Sequence, residues 1–317
     1  MSGRPYRGRF APSPTGPLHL GSAAAALVAW LSARARGGAF VLRVEDLDTP
    51  RVVPDAEAAQ AHDLRWLGLD WDEGPDVGGP YGPYRQSERQ ARYEAALAAL
   101  ERRGLLYLCD CSRAEIARVA SAPHAGDDGP RYPGTCRAYG MRPRAWKRPP
   151  AVRLAVPDRD VVVLDALQGR VVQNVQRTVG DFVLRRGDGV WAYQLAVVVD
   201  DVAMGITEVV RGADLLGSAP RQALLAELLG ARPPAFAHLP LLVAPDGTRL
   251  AKRAHGVALR DHREAGVPPA RVVARLARAL GLAAVDAATP RDLLRGFDRT
   301  RLAGRAEVRI NSAPAAA

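Results

Sequence analysis

Apolar and polar positions alone divide the chain into alternating strands and helices. RGRFAPS reads as a short strand running into a turn, with Arg9 and Ser13 near its end. The alanine-rich run 22–36 predicts a helix capped by Ser22 and stopped by Gly37 and Gly38. AFVLRVED predicts a buried strand ending in acidic residues, and 54–66 a helix. Strand, helix, strand at this spacing predicts a right-handed parallel crossover. A further helix is expected over 85–103, where Tyr93, Leu97 and Leu100 recur at helical spacing.

Residues 109–150 are rich in cysteine, glycine and proline and predict an irregular inserted module. The sheet is expected to resume with VRLAV, VVVLDAL and FVLRRGDGVWAYQLAVVVDD. Helix 219–229, the strand-like AHLPLLVA and the turn APDGTRLAKR follow, and the remainder predicts helices. In PARVVARLARALG, Arg271, Arg275 and Arg278 share a stripe, while Val272, Leu276 and Leu280 fall among the apolar positions. TPRDLLRGF predicts a helix with Thr289 as cap and Pro290 at its first position. The tail APAAA is expected to fray, and no internal repeat is present.

Composition narrows the class. With 48% hydrophobic and 25% charged residues, the 317-residue chain has the balance of a soluble globular protein. No run of about 18 uncharged apolar residues predicts a membrane span, and the first residues lack the apolar segment of a signal peptide. A cytoplasmic location is therefore expected. Three cysteines argue against a disulfide framework. The net charge of +10 is uneven: residues 249–317 hold 14 Arg plus Lys against 6 Asp plus Glu, which supplies +8 of it. A basic final third suits a polyanionic partner such as nucleic acid, or a solvated arginine surface. Only Lys147 and Lys252 are lysines among 44 basic residues.

Three constellations carry candidate chemistry. His19-Leu20-Gly21-Ser22 opens a helix after the first strand, where free N–H groups and a partial positive charge seat anions. The imidazole can donate to a phosphate, and Gly21 lets a flat base lie against the backbone. In Thr248-Arg249-Leu250-Ala251-Lys252-Arg253, Lys252 can reach a nucleotide's phosphates and neutralise charge on leaving pyrophosphate. Cys109, Cys111 and Cys136 offer three soft thiolates suited to tetrahedral zinc. A fourth donor is needed, and on softness alone His124 is a candidate.

The first two constellations resemble the two signatures of class I aminoacyl-tRNA synthetases. RFAPSPTGPLHLGS, LRVEDLDTPR, WAYQLAVVVDD and GITEVVRGADLL are similar to the glutamyl branch, over about residue 7 to at least 256. Only 64 residues follow Arg253, too few for a large helical anticodon-binding region, and CDC…YPGTC is a feature of the short paralogues. The closest resemblance is to the glutamyl-queuosine tRNA(Asp) synthetase family. It implies an α/β fold: a Rossmann-like parallel-sheet catalytic domain (1–108 and 151–256), an inserted acceptor-type zinc module (109–150), and a helical C-terminal part (257–317) that contacts RNA.

The resemblance also implies roles. ATP with Mg2+ would lie between His19, Gly21 and Lys252, with His19 and Lys252 catalytic. Arg9, Phe10, Ala11, Pro12, Ser13, Glu45, Tyr193 and Arg211 would form the L-glutamate site, Glu45 taking the α-ammonium and Arg211 a carboxylate. Cys109, Cys111, Tyr132 and Cys136 would hold a structural Zn2+. The RNA partner would be the anticodon stem-loop of queuosine-bearing tRNA(Asp), with Arg271, Arg275 and Arg278 as phosphate contacts; no membrane partner and a monomer are expected. Three positions depart from the family. Arg249 and Ala251 replace a lysine and a serine in the lysine loop, and Val197 stands where full-length relatives often carry asparagine. Two other readings are a small glutamyl-tRNA synthetase charging the 3′ end, and a non-catalytic RNA-binding relative. Dependence on queuosine tests the first, and glutamate-dependent ATP–pyrophosphate exchange tests the second.

Overall fold

A computed structural model describes residues 4–119, 131–248, 250 and 258–311. The first crossover is parallel, as its spacing implies. β1 (Arg7–Phe10) leads into α1 (Leu20–Arg34), and β2 (Ala39–Leu42) returns with Arg9 opposite Val41. α2 (Ala56–Trp66) and α3 (Gln90–Arg102) follow, then β3 (Leu106–Cys109) and α4 (Arg113–Val119). β4 (Ala151–Leu154) pairs antiparallel with β3. Next come β5 (Asp160–Asp165), β6 (Gly169–Asn174), α5 (Val175–Thr178), β7 (Val183–Arg185), α6 (Tyr193–Ala203) and β8 (Glu208–Gly212). The chain continues through α7 (Ala219–Leu228), β9 (Ala235–Leu239), β10 (Leu241–Val243), α8 (Leu259–Glu264), α9 (Pro269–Leu280), α10 (Pro290–Leu293) and β11 (Glu307–Arg309).

β8 and β9 are parallel neighbours, and β9 meets β5 in parallel at Phe236 opposite Asp165. Thr207, just before β8, ties this group to β1: its N–H donates to the Arg7 carbonyl at 2.9 Å, and its Oγ1 accepts the Arg7 N–H at 2.8 Å. The C-terminal ends of β1, β2 and β8 therefore lie together, where open α/β sheets place ligands. α1 is buried nearly all round, with Leu20, Leu27, Trp30 and Leu31 in one apolar cluster with β1, β2 and α9. A helix apolar on every side has no solvent face and belongs inside. Val197 and its neighbours on α6 anchor a second cluster with α3 and α7.

Several expectations require correction. The first helix starts at Leu20 and His19 is its cap, because the His19 ring accepts the Ser22 N–H at 3.2 Å. Residues 193–203 form helix α6, not strand. Leu195 to Val199 are all buried, and a run buried on every side hides the period that separates the two states. The helix expected over 85–103 begins at Gln90, after a short 3-10 turn over Gln86–Glu88. Pro240 divides AHLPLLVA into β9 and β10, since it cannot donate to a ladder. The C-terminal part is not wholly helical: β11 pairs parallel with β10, Val308 opposite Leu242. Thr289 caps α10 in a reciprocal box with Asp292, with Pro290 first, as expected.

Candidate active site and cysteine cluster

A cavity of about 720 Å3 opens at the ends of β1 and β8 and the start of α1. It gathers Arg9, Phe10, Ala11, Pro12, Ser13, His19, Gly21, Glu45, Tyr193 and Arg211. These come from distant parts of the chain, and every sequence-selected residue of the amino-acid site is among them. Lys252, Arg249 and Ala251 lie outside the described residues, as does His124. Leu250 lines the cavity, and Ala258 forms an antiparallel bridge to His19, itself a lining residue. Val197 is fully buried in the second apolar cluster and does not line the cavity.

The nucleotide end is built from α1. The His19 Nδ1 accepts from the Ser22 N–H, so the ring proton resides on Nε2, 3.1 Å from Ser22 Oγ. Burial lowers the His19 pKa against the pull of Asp214, which favours a neutral donor. A Cβ at Gly21 would lie 2.9 Å from the His19 ring. Gly21 is thus required first by the imidazole that packs on it. Gln60 on α2 fixes the preceding loop, donating to the carbonyls of Ser13 at 3.1 Å and Gly16 at 2.7 Å.

The amino-acid end rests on a buried ion network. Arg9 donates to Asp201 at 3.2 Å. Arg43, fully buried, donates to Asp201 at 2.7 Å and to Glu45 at 3.1 Å. Arg89 holds the adjacent Asp200 at 2.5 Å. Burial pushes the Glu45 carboxyl above its ordinary range although Arg43 and Arg9 pull it down. Arg211 shows the converse: burial, and Arg9 beside it, lower its pKa despite Tyr193. Tyr193 closes the wall, its hydroxyl 3.5 Å from the Arg211 guanidinium. The pocket therefore presents an acid whose burial outweighs its ion pair with Arg43, and a cation that pairs with no carboxylate among the described residues. An amino acid carrying an extra carboxylate supplies an ammonium to the first and an anion to the second.

Arg43, Asp201, His238 and Gln60 are not among the residues that the sequence singles out. A signal existed for two of them. Arg43 and Glu45 stand two apart in an extended segment, hence on one face. Asp201 interrupts an apolar run that offers no reason for an acid.

The three cysteine sulfurs lie within 4.8 Å of one another. Cys111 Sγ is 3.6 Å from Cys136 Sγ, and the Tyr132 hydroxyl is 3.3 Å from Cys109 Sγ and 3.9 Å from Cys111 Sγ. The Cys136 N–H donates to the Tyr132 oxygen at 2.9 Å, and the Arg153 guanidinium lies 3.9 Å from the Tyr132 ring centroid. Burial and the bonds to Cys109 and Cys136 nevertheless raise the Tyr132 pKa, against the pull of the Cys136 N–H. Burial raises the Cys109 thiol pKa, but bonding to Tyr132 and the Arg153 charge bring it below its ordinary value. Burial and Cys136 push Cys111 up to about 12. Gly180, at φ +79°, lets its backbone pack against Tyr132, since a Cβ there would lie 2.2 Å from the Tyr132 carbonyl.

On α9, Val272, Leu276 and Leu280 are buried, Arg271 and Arg278 are exposed and Arg275 is half-buried. Arg278 pairs with Asp286 at 2.5 Å. The amphipathic reading of this helix holds.

Residues 6–295 match the family described as tRNA synthetases class I (E and Q), catalytic domain. A glutamyl-Q tRNA(Asp) synthetase from Symbiobacterium thermophilum is 52% identical over 305 residues, 93% of each chain. One from Deinococcus radiodurans is 52% identical over 86% of this chain and 88% of that one. The crystal structure of glutamate-tRNA synthetase from Elizabethkingia anophelis aligns with a TM-score of 0.83 at 31% identity, covering 98% of this chain and 68% of that one. The chain belongs to the class I synthetase family of the glutamate and glutamine type, and within it to the glutamyl-Q tRNA(Asp) synthetases.

Proposed function

We propose that this synthetase activates L-glutamate with ATP, without tRNA, and transfers it to queuosine at the wobble position of tRNA(Asp). The observation that carries the reading is the cavity that brings Arg9, Ser13, Glu45, Tyr193 and Arg211 beside the His19 cap of α1. Glu45 takes the α-ammonium, and Arg211 with Tyr193 takes a carboxylate. The α-carboxylate of glutamate then attacks the α-phosphate of ATP, forming a mixed anhydride and releasing pyrophosphate. His19 donates from its neutral ring to the phosphates. Lys252 offsets charge on the departing pyrophosphate, and its place in the chain supports the role. It stands two residues after Leu250, and two residues span at most about 7 Å.

No residue forms a covalent intermediate in this scheme, and rate comes from positioning and charge stabilisation. A queuosine hydroxyl next attacks the activated carbonyl, giving a glutamyl ester and AMP. Arg271, Arg275 and Arg278 contact phosphates of the anticodon stem-loop. Magnesium accompanies ATP and shields its phosphates.

The donor set of Cys109, Cys111, Cys136 and Tyr132 suits Zn2+, which would cross-link a module with little apolar core. The reading places the enzyme in the cytoplasm as a monomer. Glutamate-dependent ATP–pyrophosphate exchange in the absence of tRNA tests the first half-reaction. Exchange with glutamate and not with glutamine is the expected result, and its absence would refute the assignment.

A further inference from the structure

The wall behind Arg211 holds a buried group with no part in the two half-reactions. His238 on β9 is fully buried and stands opposite Arg211 in the β8–β9 ladder. Arg211 Nε donates to His238 Nε2 at 3.0 Å, and His238 Nδ1 lies 2.6 Å from Asp165 Oδ2. A guanidinium carries donors only, so Nε2 offers its lone pair and the ring proton sits on Nδ1, donating to Asp165. Asp165 is itself fixed by the backbone N–H groups of Leu167 at 3.0 Å, Gln168 at 2.9 Å and His238 at 3.1 Å.

The other cations of the buried network are held differently. Arg9 and Arg43 bond the Asp201 carboxylate directly, and Arg89 bonds Asp200. Among the described residues no carboxylate forms an ion pair with Arg211. Its partners are the neutral ring of His238, the Leu215 carbonyl at 3.2 Å and the Tyr193 hydroxyl.

We propose that the Asp165–His238 pair sets substrate specificity, fixing Arg211 through a neutral acceptor so that its charge stays available to the side-chain carboxylate of the amino acid. A carboxylate at position 238 would orient Arg211 equally well but neutralise it, and the site would then favour the acid little over its amide. The interposed imidazole keeps the Asp165 charge a ring's width behind. Burial disfavours the imidazolium, as do the guanidinium groups of Arg211 and Arg9, against the pull of Asp165. His238 is a positioning residue, and the inference rests on the cavity being a glutamate pocket.

The test is ATP–pyrophosphate exchange by the full chain, with His238→Leu and His238→Gln beside the unmutated enzyme. Losing a hydrogen bond to a charged group predicts at least a tenfold rise in glutamate KM for His238→Leu, with ATP KM within twofold. Its preference for glutamate over glutamine falls by a similar factor. His238→Gln, which keeps an acceptor, stays within threefold. A glutamate KM unchanged in His238→Leu, or an equal loss in His238→Gln, overturns the inference while leaving the glutamate assignment intact. No exchange by the unmutated enzyme overturns both. Nitrogen-15 NMR of the histidines gives a readout that needs no variant to fold. A neutral ring protonated on Nδ1 at pH 7 is expected for His238, and an imidazolium or the Nε2–H form contradicts the proposal.

Discussion

Ala258 pairs with His19 in an antiparallel bridge, and next to it the Leu259 N–H donates to the Leu18 carbonyl at 2.8 Å. The segment that carries Lys252 is thereby tied at its far end to the cap of α1, while Leu250 borders the cavity at its near end. Leu250 and the His19–Gly21 turn, more than 200 residues apart in the sequence, border one cleft.

Lys252→Ala is therefore expected to lower glutamate-dependent exchange by about a hundredfold or more, the scale of losing one charge stabiliser of a transition state. Glutamate KM should change little. Exchange within threefold of the unmutated enzyme would remove Lys252 from the chemistry.

Arg43 bonds two carboxylates at zero exposure, so removing it leaves Glu45 buried without its ion-pair partner and Asp201 held by Arg9 alone. Arg43→Ala should lower the unfolding free energy by about 3–5 kcal/mol, measured by urea denaturation. A loss below about 1 kcal/mol would show that water or rearrangement replaces the guanidinium.

Much of this site is legible in the sequence because its parts stand in short local patterns. A strand end, a helix start with His19 and Gly21, and an acid after LRV can each be read without coordinates. The supports are hidden for the opposite reason. Arg211 meets His238 across a ladder 27 residues apart, and His238 meets Asp165 across 73. Burial on all sides erases the period of α6, and with it the reason for Asp200 and Asp201. β11 holds only three residues and gains its strand character from β10. The amphipathic α9 keeps one solvent face, so its period survives in the sequence.

Acid sensitivity follows from the Asp165–His238 pair. Hydrogen bonds from His238 and backbone N–H groups outweigh burial and hold Asp165 down to about 2. A carboxyl depressed on folding contributes its stability above its unfolded value near 3.9, and loses it as pH falls through the folded value. His238, also depressed, adds a loss that begins as pH drops below about 6.5. Stability should therefore fall between about pH 6 and 2, and Asp165→Asn should flatten the lower part of that slope. A denaturation series across pH checks it, and an unchanged slope would contradict the pairing.

Freshly purified protein should carry about one equivalent of zinc per chain by metal analysis, and Cys136→Ser should lose it. Tyr132→Phe should keep a weaker site, since three thiolates remain. Less than half an equivalent in the unmutated protein would count against the metal.

Replacing Arg271, Arg275 and Arg278 together by alanine should weaken tRNA binding and make it less steeply dependent on salt, because fewer phosphates are neutralised. Arg278 contributes least, since Asp286 already shares its charge. Unchanged affinity and salt slope would place the RNA elsewhere.

Transfer to queuosine is tested most directly by offering radiolabelled glutamate and ATP with tRNA from cells that make queuosine and from cells that do not. Label entering only the queuosine-bearing tRNA(Asp) is the predicted result. Equal labelling of both preparations would mean that the enzyme charges a 3′ end, and would contradict transfer to the modified base.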